Sequence, residues 1–390
     1  VTAAALILLS AALAAAPPAP PLVEVELLSS KPCQALSLEG STGRHDVAIR
    51  DGRLLLDGGR VASPLRFPVD RWRVRVPAPA ERTFSGALEL RPDQGRIRVV
   101  ARLDLEEYVA WTVASETTPG TPREALRAQA VVARSYALAG GRRHADVDLC
   151  DLAHCQVLRG GLSAEHLEAS RRAVGATRGG VLRLKTGRIA LAPFHASCGG
   201  HTGDPAEIFG GGGTGAAAAP DDGCPASPWQ TTVPLRIFRA VVAERLGAPA
   251  LPESLDWRIG RGGYVARVAL GGEGVGGEAF ARALDSRLGH RSVRSARFVA
   301  RITARGVRLQ GTGIGHGVGL CQAGAARRAT AGANYREILG HYFPDARVEG
   351  VIGRFPPREA LHEALAVPGG GTHSSARGEG RRGGETGDPP

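Results

Sequence analysis

The sequence predicts an α+β fold, with helices packed on a mostly antiparallel sheet. Two observations carry this expectation. Residues 23–100 alternate apolar and polar side chains at the period of a strand, as in Val23-Glu24-Val25-Glu26-Leu27 and Arg96-Ile97-Arg98-Val99-Val100. Beyond Asp104 the period becomes that of a helix: Leu105, Tyr108, Val109, Trp111 and Ala114 share one face.

The elements follow in order. The β-rich N-terminal region is punctuated by turn signals at Asp51-Gly52, Asp57-Gly58-Gly59 and Pro92-Asp93. A first helix opens on a capping box, Asp104 with Glu107, and ends at Glu116, before Thr117-Thr118-Pro119-Gly120. A second has Thr121 as N-cap, Pro122 in its first turn and Glu124 closing a second box. It stops at Gly140-Gly141, and its face of Leu126, Ala130, Ala133 and Ala137 suits close packing. A loop rich in His, Cys and Asp (144–160) precedes a third helix over Ser163–Ala173. Strands are expected at Gly180–Leu184 and Ile189–Phe194. A glycine-rich segment then runs to Ala219, and 229–307 mixes strand-like and helix-like pieces whose order the pattern does not fix. After the glycine run at 311–319 a helix leads into Tyr335–Leu339. The Gly/Arg/Ser/Pro-rich end, 367–390, has the composition of a disordered tail.

Composition narrows the class of partner. Of 390 residues 43% are hydrophobic, enough for a sizeable core, and the net charge of +11 is almost all arginine, Lys31 and Lys185 being the only lysines. A basic chain favours polyanionic partners. The arginines are spread out and aromatics make up only 5%, which argues against a stacking platform for nucleic acid. Ala3 to Leu13 form an apolar run too short to span a bilayer, followed by small residues and Pro17, Pro18, Pro20 and Pro21. That layout fits a signal peptide over 1–20, so an exported chain with no transmembrane span in its mature form is expected, in the periplasm or cell envelope. A β-rich region (21–95), a main domain (96–350) and the tail complete the organisation.

Four groups of residues carry candidate chemistry. Glu116, at a helix end beside apolar surface, is placed for its pKa to be raised by desolvation, though most glutamates are simply solvated. His144, Cys150, His154 and Cys155 bring two imidazoles and two thiols within twelve residues, a set that suits tetrahedral zinc. A Cys150–Cys155 disulfide with solvated histidines satisfies the same spacing. Adjacent His154 and Cys155 can converge only on an irregular loop. Glycines at 311, 313, 315, 317 and 319 surround His316 and let backbone approach closely, either to a ligand or to another part of the chain. Phe194–Thr202 holds His195, Ser197, Cys198 and His201, and a Cys198–Cys224 disulfide is one use of its thiol.

Three segments resemble the stage II sporulation protein D and amidase-enhancer family of bacterial wall proteins. They are LEEYVAWTVASETTPGTPREALRAQAVVARSYAL (105–138), DLCDLAHCQVLRG (148–160) with FHASCGGHTGD (194–204), and GTGIGHGVGLCQAGA (311–325). The resemblance implies a lytic transglycosylase that cleaves peptidoglycan glycan strands, and it puts the family's catalytic glutamate on Glu116. Thr117-Thr118 stands where the family has Met-Pro, and Cys321 where it usually has serine. Zinc near the cleft of clostridial members implies His144, Cys150, His154 and Cys155 as ligands, in a structural role. The chemistry then needs one carboxylate, whereas a glycoside hydrolase normally needs two. The rival implied by the same family is a non-enzymatic amidase enhancer that binds peptidoglycan and stimulates a cell-wall amidase. Gln129, Arg134, Tyr136, His195, His316 and Gln322 are candidates for the substrate groove, each with a buried structural role as the alternative.

Overall fold

The computed structural model describes residues 21–350 apart from 78–79, 142, 248–255 and 271–272. The expected signal peptide over 1–20 and tail over 367–390 lie outside the described residues. The architecture is α+β.

The N-terminal strands are β1 (Leu22–Leu27), β2 (Ala35–Gly40), β3 (Gly43–Arg50), β4 (Arg53–Leu56), β5 (Gly59–Arg60), β6 (Leu65–Val76), β7 (Ala80–Asp93) and β8 (Arg96–Asp104). Asp51-Gly52 and Asp57-Gly58 form the two-residue turns expected of them, each with both φ values positive. Pro92-Asp93 does not turn. β7 runs through it, and the reversal falls on Gln94-Gly95, where φ is 47° and 76°. Proline's fixed negative φ cannot supply that geometry.

Asp104 caps α1 (Leu105–Glu116), its carboxylate accepting the Glu106 and Glu107 N–H groups. The expected capping box is half formed, because the Glu107 carboxylate pairs with Arg171 instead. α1 is buried at Leu105 and from Tyr108 to Ser115, the pattern of a core helix, with Glu106 and Glu107 partly exposed. α2 (Arg123–Ala139) starts after Pro122 with no side-chain cap; the Thr121 hydroxyl bonds back to the Thr118 carbonyl. Next come β9 (Leu149–Cys150), α3 (Ala164–Ala176), β10 (Gly180–Leu184), β11 (Phe194–His195) and α4 (Pro205–Phe209). The strand expected at Ile189–Phe194 shrinks to β11: Leu191 N–H bonds Gly213, and Pro193 has no N–H to give.

The region left unordered by pattern resolves into β12 (Pro228–Val233), α5 (Leu235–Leu246), β13 (Asp256–Ile259), β14 (Val265–Leu270), β15 (Glu273–Gly276), α6 (Gly277–Leu288), β16 (Phe298–Thr303) and β17 (Gly306–Thr312). The described chain closes with β18 (Leu320–Cys321), α7 (Gln322–Thr330), α8 (Tyr335–Tyr342) and β19 (Ala346–Gly350).

One nine-stranded sheet dominates, in the order β5-β4-β3-β2-β6-β7-β8-β1-β9. Every neighbouring pair in it is antiparallel except β1 with β9. The N-terminal strands and the Cys150 loop therefore share one sheet. Val25, Leu88 and Leu103 from that sheet form a core with Tyr108 and Val113 of α1 and Leu126, Ala130 and Ala133 of α2. The opposite side of α2, Ala125, Ala128 and Val132, packs on Leu320, Ile338, Leu339 and Phe343. Its alanines thus serve two cores, letting elements approach on both sides. Residues 229–309 enclose a third core around Phe238, Phe280 and Phe298. Among the described residues no helix is long and apolar enough to cross a membrane.

Candidate active site

α1 delivers Glu116 in its last turn, and the chain then leaves in an extended conformation at Thr117. Thr117 is fixed by its hydroxyl, which donates to the Val113 carbonyl and contacts His166 Nε2 at 3.1 Å. The Glu116 side chain is half-buried, and its Oε1 accepts the Val157 N–H at 2.7 Å. Burial raises its pKa above the usual carboxylate value; the Val157 N–H and the Arg159 charge oppose that rise without cancelling it. A half-buried acid with a raised pKa can both donate and accept a proton near neutrality.

The loop 155–159 straps the end of α1. Ser115 Oγ accepts the Arg159 N–H at 2.9 Å, and Trp111 Nε1 donates to the Arg159 carbonyl at 2.7 Å. Gln156 is fully buried, its Oε1 accepting a hydrogen bond from the Tyr108 hydroxyl at 2.7 Å and its Nε2 donating to the Ala133 carbonyl. Gln156, Val157 and Arg159 were missed as site residues at the sequence level, and the only available signal was their place just after Cys155.

From the other side, Gln322, the first residue of α7, donates to the Glu116 carbonyl at 3.1 Å and to Gln129 Oε1 at 3.4 Å. Gln129 is buried, and its Nε2 has no hydrogen-bond partner. Tyr136 donates to the His154 carbonyl at 3.0 Å under the Arg143 guanidinium, 4.1 Å from its ring. Burial pushes its phenol up to about 12. Gln129, Tyr136 and Gln322 are thus gathered around Glu116 and the loop behind it.

Arg134 is not. Its guanidinium is wholly buried in a two-point pair with Glu106, at 2.9 and 2.6 Å, and gives a third hydrogen bond to the Gly180 carbonyl. It joins α2 to α1 and β10 and has no open side to offer a sugar.

His195 and His316 form a separate group. Their ring centroids are 5.6 Å apart, and Phe209 lies 5.1 Å from His316. The two histidines bracket Val318: His195 Nδ1 meets its carbonyl and His316 Nδ1 accepts its N–H, each at 3.1 Å. Burial holds both imidazoles low, at about 4 and about 3, so both are neutral at physiological pH. His195 Nε2 is buried without a partner. The glycines around His316 answer mainly to protein contacts. A Cβ at Gly317, where φ is 80°, would strike the Tyr264 ring and hydroxyl.

The four zinc-type ligands converge, their donor atoms all lying within 4.8 Å of one another. His144 Nε2 is 3.3 Å from Cys155 Sγ, and His154 Nε2 is 3.2 Å from Cys150 Sγ. As the adjacency of His154 and Cys155 requires, they sit on a turn, closed by Cys155 N–H to the Leu152 carbonyl. No cysteine is disulfide-bonded. The Cys155 thiol is lowered to about 5 by hydrogen bonds from the Cys150 thiol and from His144, against its burial; the same coupling raises Cys150. Two thiols and two imidazoles at these separations fit tetrahedral zinc. The loop they would fix carries Val157 two residues on.

A groove of about 560 Å³ borders this site, lined by Trp111, Arg159, Gly160, Leu162, Phe84 and Arg71 among others. Its carboxylates are committed: Glu81 to Arg75, Glu107 to Arg171 and Glu168 to Arg172. A larger hollow of about 730 Å³, around Trp229 and Gln310, contains none of the groups above.

Comparison with known proteins agrees with this grouping. Residues 93–183, which hold Glu116 and all four zinc-type ligands, match a family model described as Stage II sporulation protein. An uncharacterized protein of Brachyspira hyodysenteriae is 29% identical over 275 residues, covering 67% of this chain and 70% of the relative. A protein of Bacillus amyloliquefaciens named Stage II sporulation protein D is 27% identical over 267 residues, covering 63% of this chain and 74% of the relative.

Proposed function

The chain belongs to the stage II sporulation protein D family, and from that premise we propose that it is an exported peptidoglycan lytic transglycosylase of the cell envelope. Membership supports a cell-wall-related role in sporulation; the specific reaction is our reading of the site. Its single strongest support is Glu116: one half-buried carboxyl of raised pKa beside a groove whose other carboxylates are tied to arginines.

In this reading Glu116 starts protonated and gives its proton to the glycosidic oxygen as that bond to C1 breaks. The resulting carboxylate then removes the proton of the muramoyl 6-hydroxyl as O6 bonds to C1. The product is a 1,6-anhydro sugar, no water is consumed, and Glu116 is returned protonated. The Val157 N–H holds the carboxylate, and Gln322, braced on Gln129, fixes the helix end by donating to the Glu116 carbonyl. Zinc at His144, Cys150, His154 and Cys155 would have four protein ligands and no open position, so its contribution would be to hold the 150–157 loop.

The test is mass spectrometry of peptide-free glycan strands treated with the wild type and with Glu116→Gln. Anhydro ends from the wild type alone are expected. Reducing ends would refute the transglycosylase in favour of a hydrolase. No cleavage by folded protein, with stimulation of an added amidase, would place the chain with the amidase enhancers.

A further inference from the structure

A second cluster of soft ligands lies away from Glu116, within the core between α2, α7 and α8. Cys198, Asp221, Cys224 and Cys321 come from three distant parts of the chain, yet their donor atoms all lie within 4.8 Å of one another. Three of these residues are completely buried and Cys224 is 7% exposed. Their local backbones converge for simple reasons. Cys198 is aligned by the pairing of β11 with β18 and by the Ser197–Ile314 bridge. Asp221 and Cys224 close one turn, through Cys224 N–H to the Asp221 carbonyl at 2.8 Å. Cys321 is the N-cap of α7.

We infer that these four side chains form a second, structural zinc site, with three thiolates and one carboxylate as its ligands. The spacing supports it. A tetrahedral zinc with Zn–S near 2.3 Å sets its sulfurs about 3.8 Å apart. Cys224 and Cys321 Sγ are 3.5 Å apart, and Cys198 Sγ is 3.3 Å from Asp221 Oδ2. A disulfide would use two of the sulfurs and leave the third thiol buried against a carboxylate.

The surroundings are those of a ligand shell held from behind. Cys321 Sγ accepts the N–H groups of Cys198 and Gly324, both at 3.3 Å. Asp221 accepts the Tyr342 hydroxyl at 2.8 Å and an Arg328 N–H at 3.2 Å. Arg297 bonds the carbonyls of Cys198 and Gly199. Three thiolates, one carboxylate and a divalent cation sum to two negative charges, and two arginines stand beside them. Residue 324 has to be glycine here, because any Cβ would collide with Asp221 and Tyr342. The expected Cys198–Cys224 disulfide gives way in this arrangement because Cys321, far along the chain, arrives at the same point.

The site has a mechanical role toward Glu116. Cys321 immediately precedes Gln322, whose amide holds the Glu116 carbonyl. One metal would thus fix the loop in front of Glu116 and a second the helix start behind it. The second assignment stands on its own geometry and is independent of whether the chain cleaves glycan.

The experiment is metal analysis of the full chain purified under reducing conditions, equilibrated with zinc and freed of excess. Two equivalents per chain are expected. The double variant His144→Ala/Cys150→Ser should keep one, and its cobalt derivative should show thiolate charge-transfer bands with X-ray absorption fitting three sulfurs and one lighter atom. Cys224→Ser should lose that equivalent and keep the other. If Cys224→Ser does not fold, the sulfur count in the double variant decides alone. The proposal is overturned by a folded double variant that binds no metal, by a sulfur count below three there, or by peptide mapping that finds a disulfide between any two of the three cysteines.

Discussion

Replacing Glu106 by glutamine separates a structural from a substrate-binding role for Arg134. The Arg134 guanidinium has no exposed surface, while the Glu106 side chain keeps 15%. Both carboxylate oxygens are used on Arg134, and Oε1 also accepts the Gly179 N–H at 3.3 Å. Glutamine presents one oxygen and one NH2 group, so one guanidinium donor would face a donor. Breaking a buried ion pair by removing one partner costs about 3–5 kcal/mol. Glutamine keeps one of the two hydrogen bonds, so a loss of about 3 kcal/mol is expected. With a urea slope of about 3 kcal/mol per molar, the midpoint falls by about 1 M. The assay is equilibrium urea unfolding followed by far-UV circular dichroism. The double change Glu106→Leu/Arg134→Met removes both charges and should recover most of the loss, since apolar replacement of a buried pair is often neutral. A loss below about 1 kcal/mol for Glu106→Gln, together with loss of glycan binding, would refute the structural assignment and return Arg134 to the substrate.

Other expectations follow from the same contacts. Glu116→Gln should lower glycan cleavage by about 10²–10⁴-fold, the usual worth of a general acid/base. Its pKa is raised in the folded protein, so the wild type takes up a proton on folding and loses stability as pH rises through that window. The variant should therefore be the more stable at about pH 8 and equal to the wild type at about pH 3, below both carboxyl pKa values, by thermal unfolding. Gln322→Ala removes one hydrogen bond to the Glu116 carbonyl; kcat should fall about tenfold with KM nearly unchanged, and a change in KM alone would make Gln322 a substrate contact. Cys150→Ser should release the zinc of the first cluster and cost about 3 kcal/mol at zinc a hundredfold above its Kd, read by zinc-dependent melting. Gly317→Ala should destabilise by about 2 kcal/mol or more, because it combines a clash with Tyr264 and a left-handed backbone.

Local chemistry made much of the frame legible. Asp104 capped α1 because a carboxylate beside free helical N–H groups has few better partners, and β10 fell on the Gly180–Leu184 expected of it. The failures occurred where a distant residue outbid a near one. Glu107 left its box for Arg171, and Glu124 left its own for the Tyr335 N–H. Site residues followed the same rule. The two histidines and two cysteines of the first cluster lie within twelve positions, so their convergence could be read together. Arg134 looked available because periodicity cannot tell that Glu106 waits opposite. Cys198, Asp221, Cys224 and Cys321 span 123 residues between the first and the last, and it takes the pairing of β11 with β18 and the turn at Asp221–Cys224 to bring them together.

The position of β1 bears on how such a chain can reach its native state. This strand is flanked by β8, about seventy-five residues later, and by β9, more than a hundred later. Its backbone groups are satisfied on both edges only when Cys150 has arrived beside Glu26. The hairpins from β2 to β5 and from β6 to β8 can form on local pairings, but the seam at β1 requires closing two long loops. High sequence separation of this kind slows folding. The first described strand is therefore among the last to be locked. A cut at residue 95, which the pattern of the sequence would suggest as a boundary, would strip the Cys150 loop of the strand it leans on.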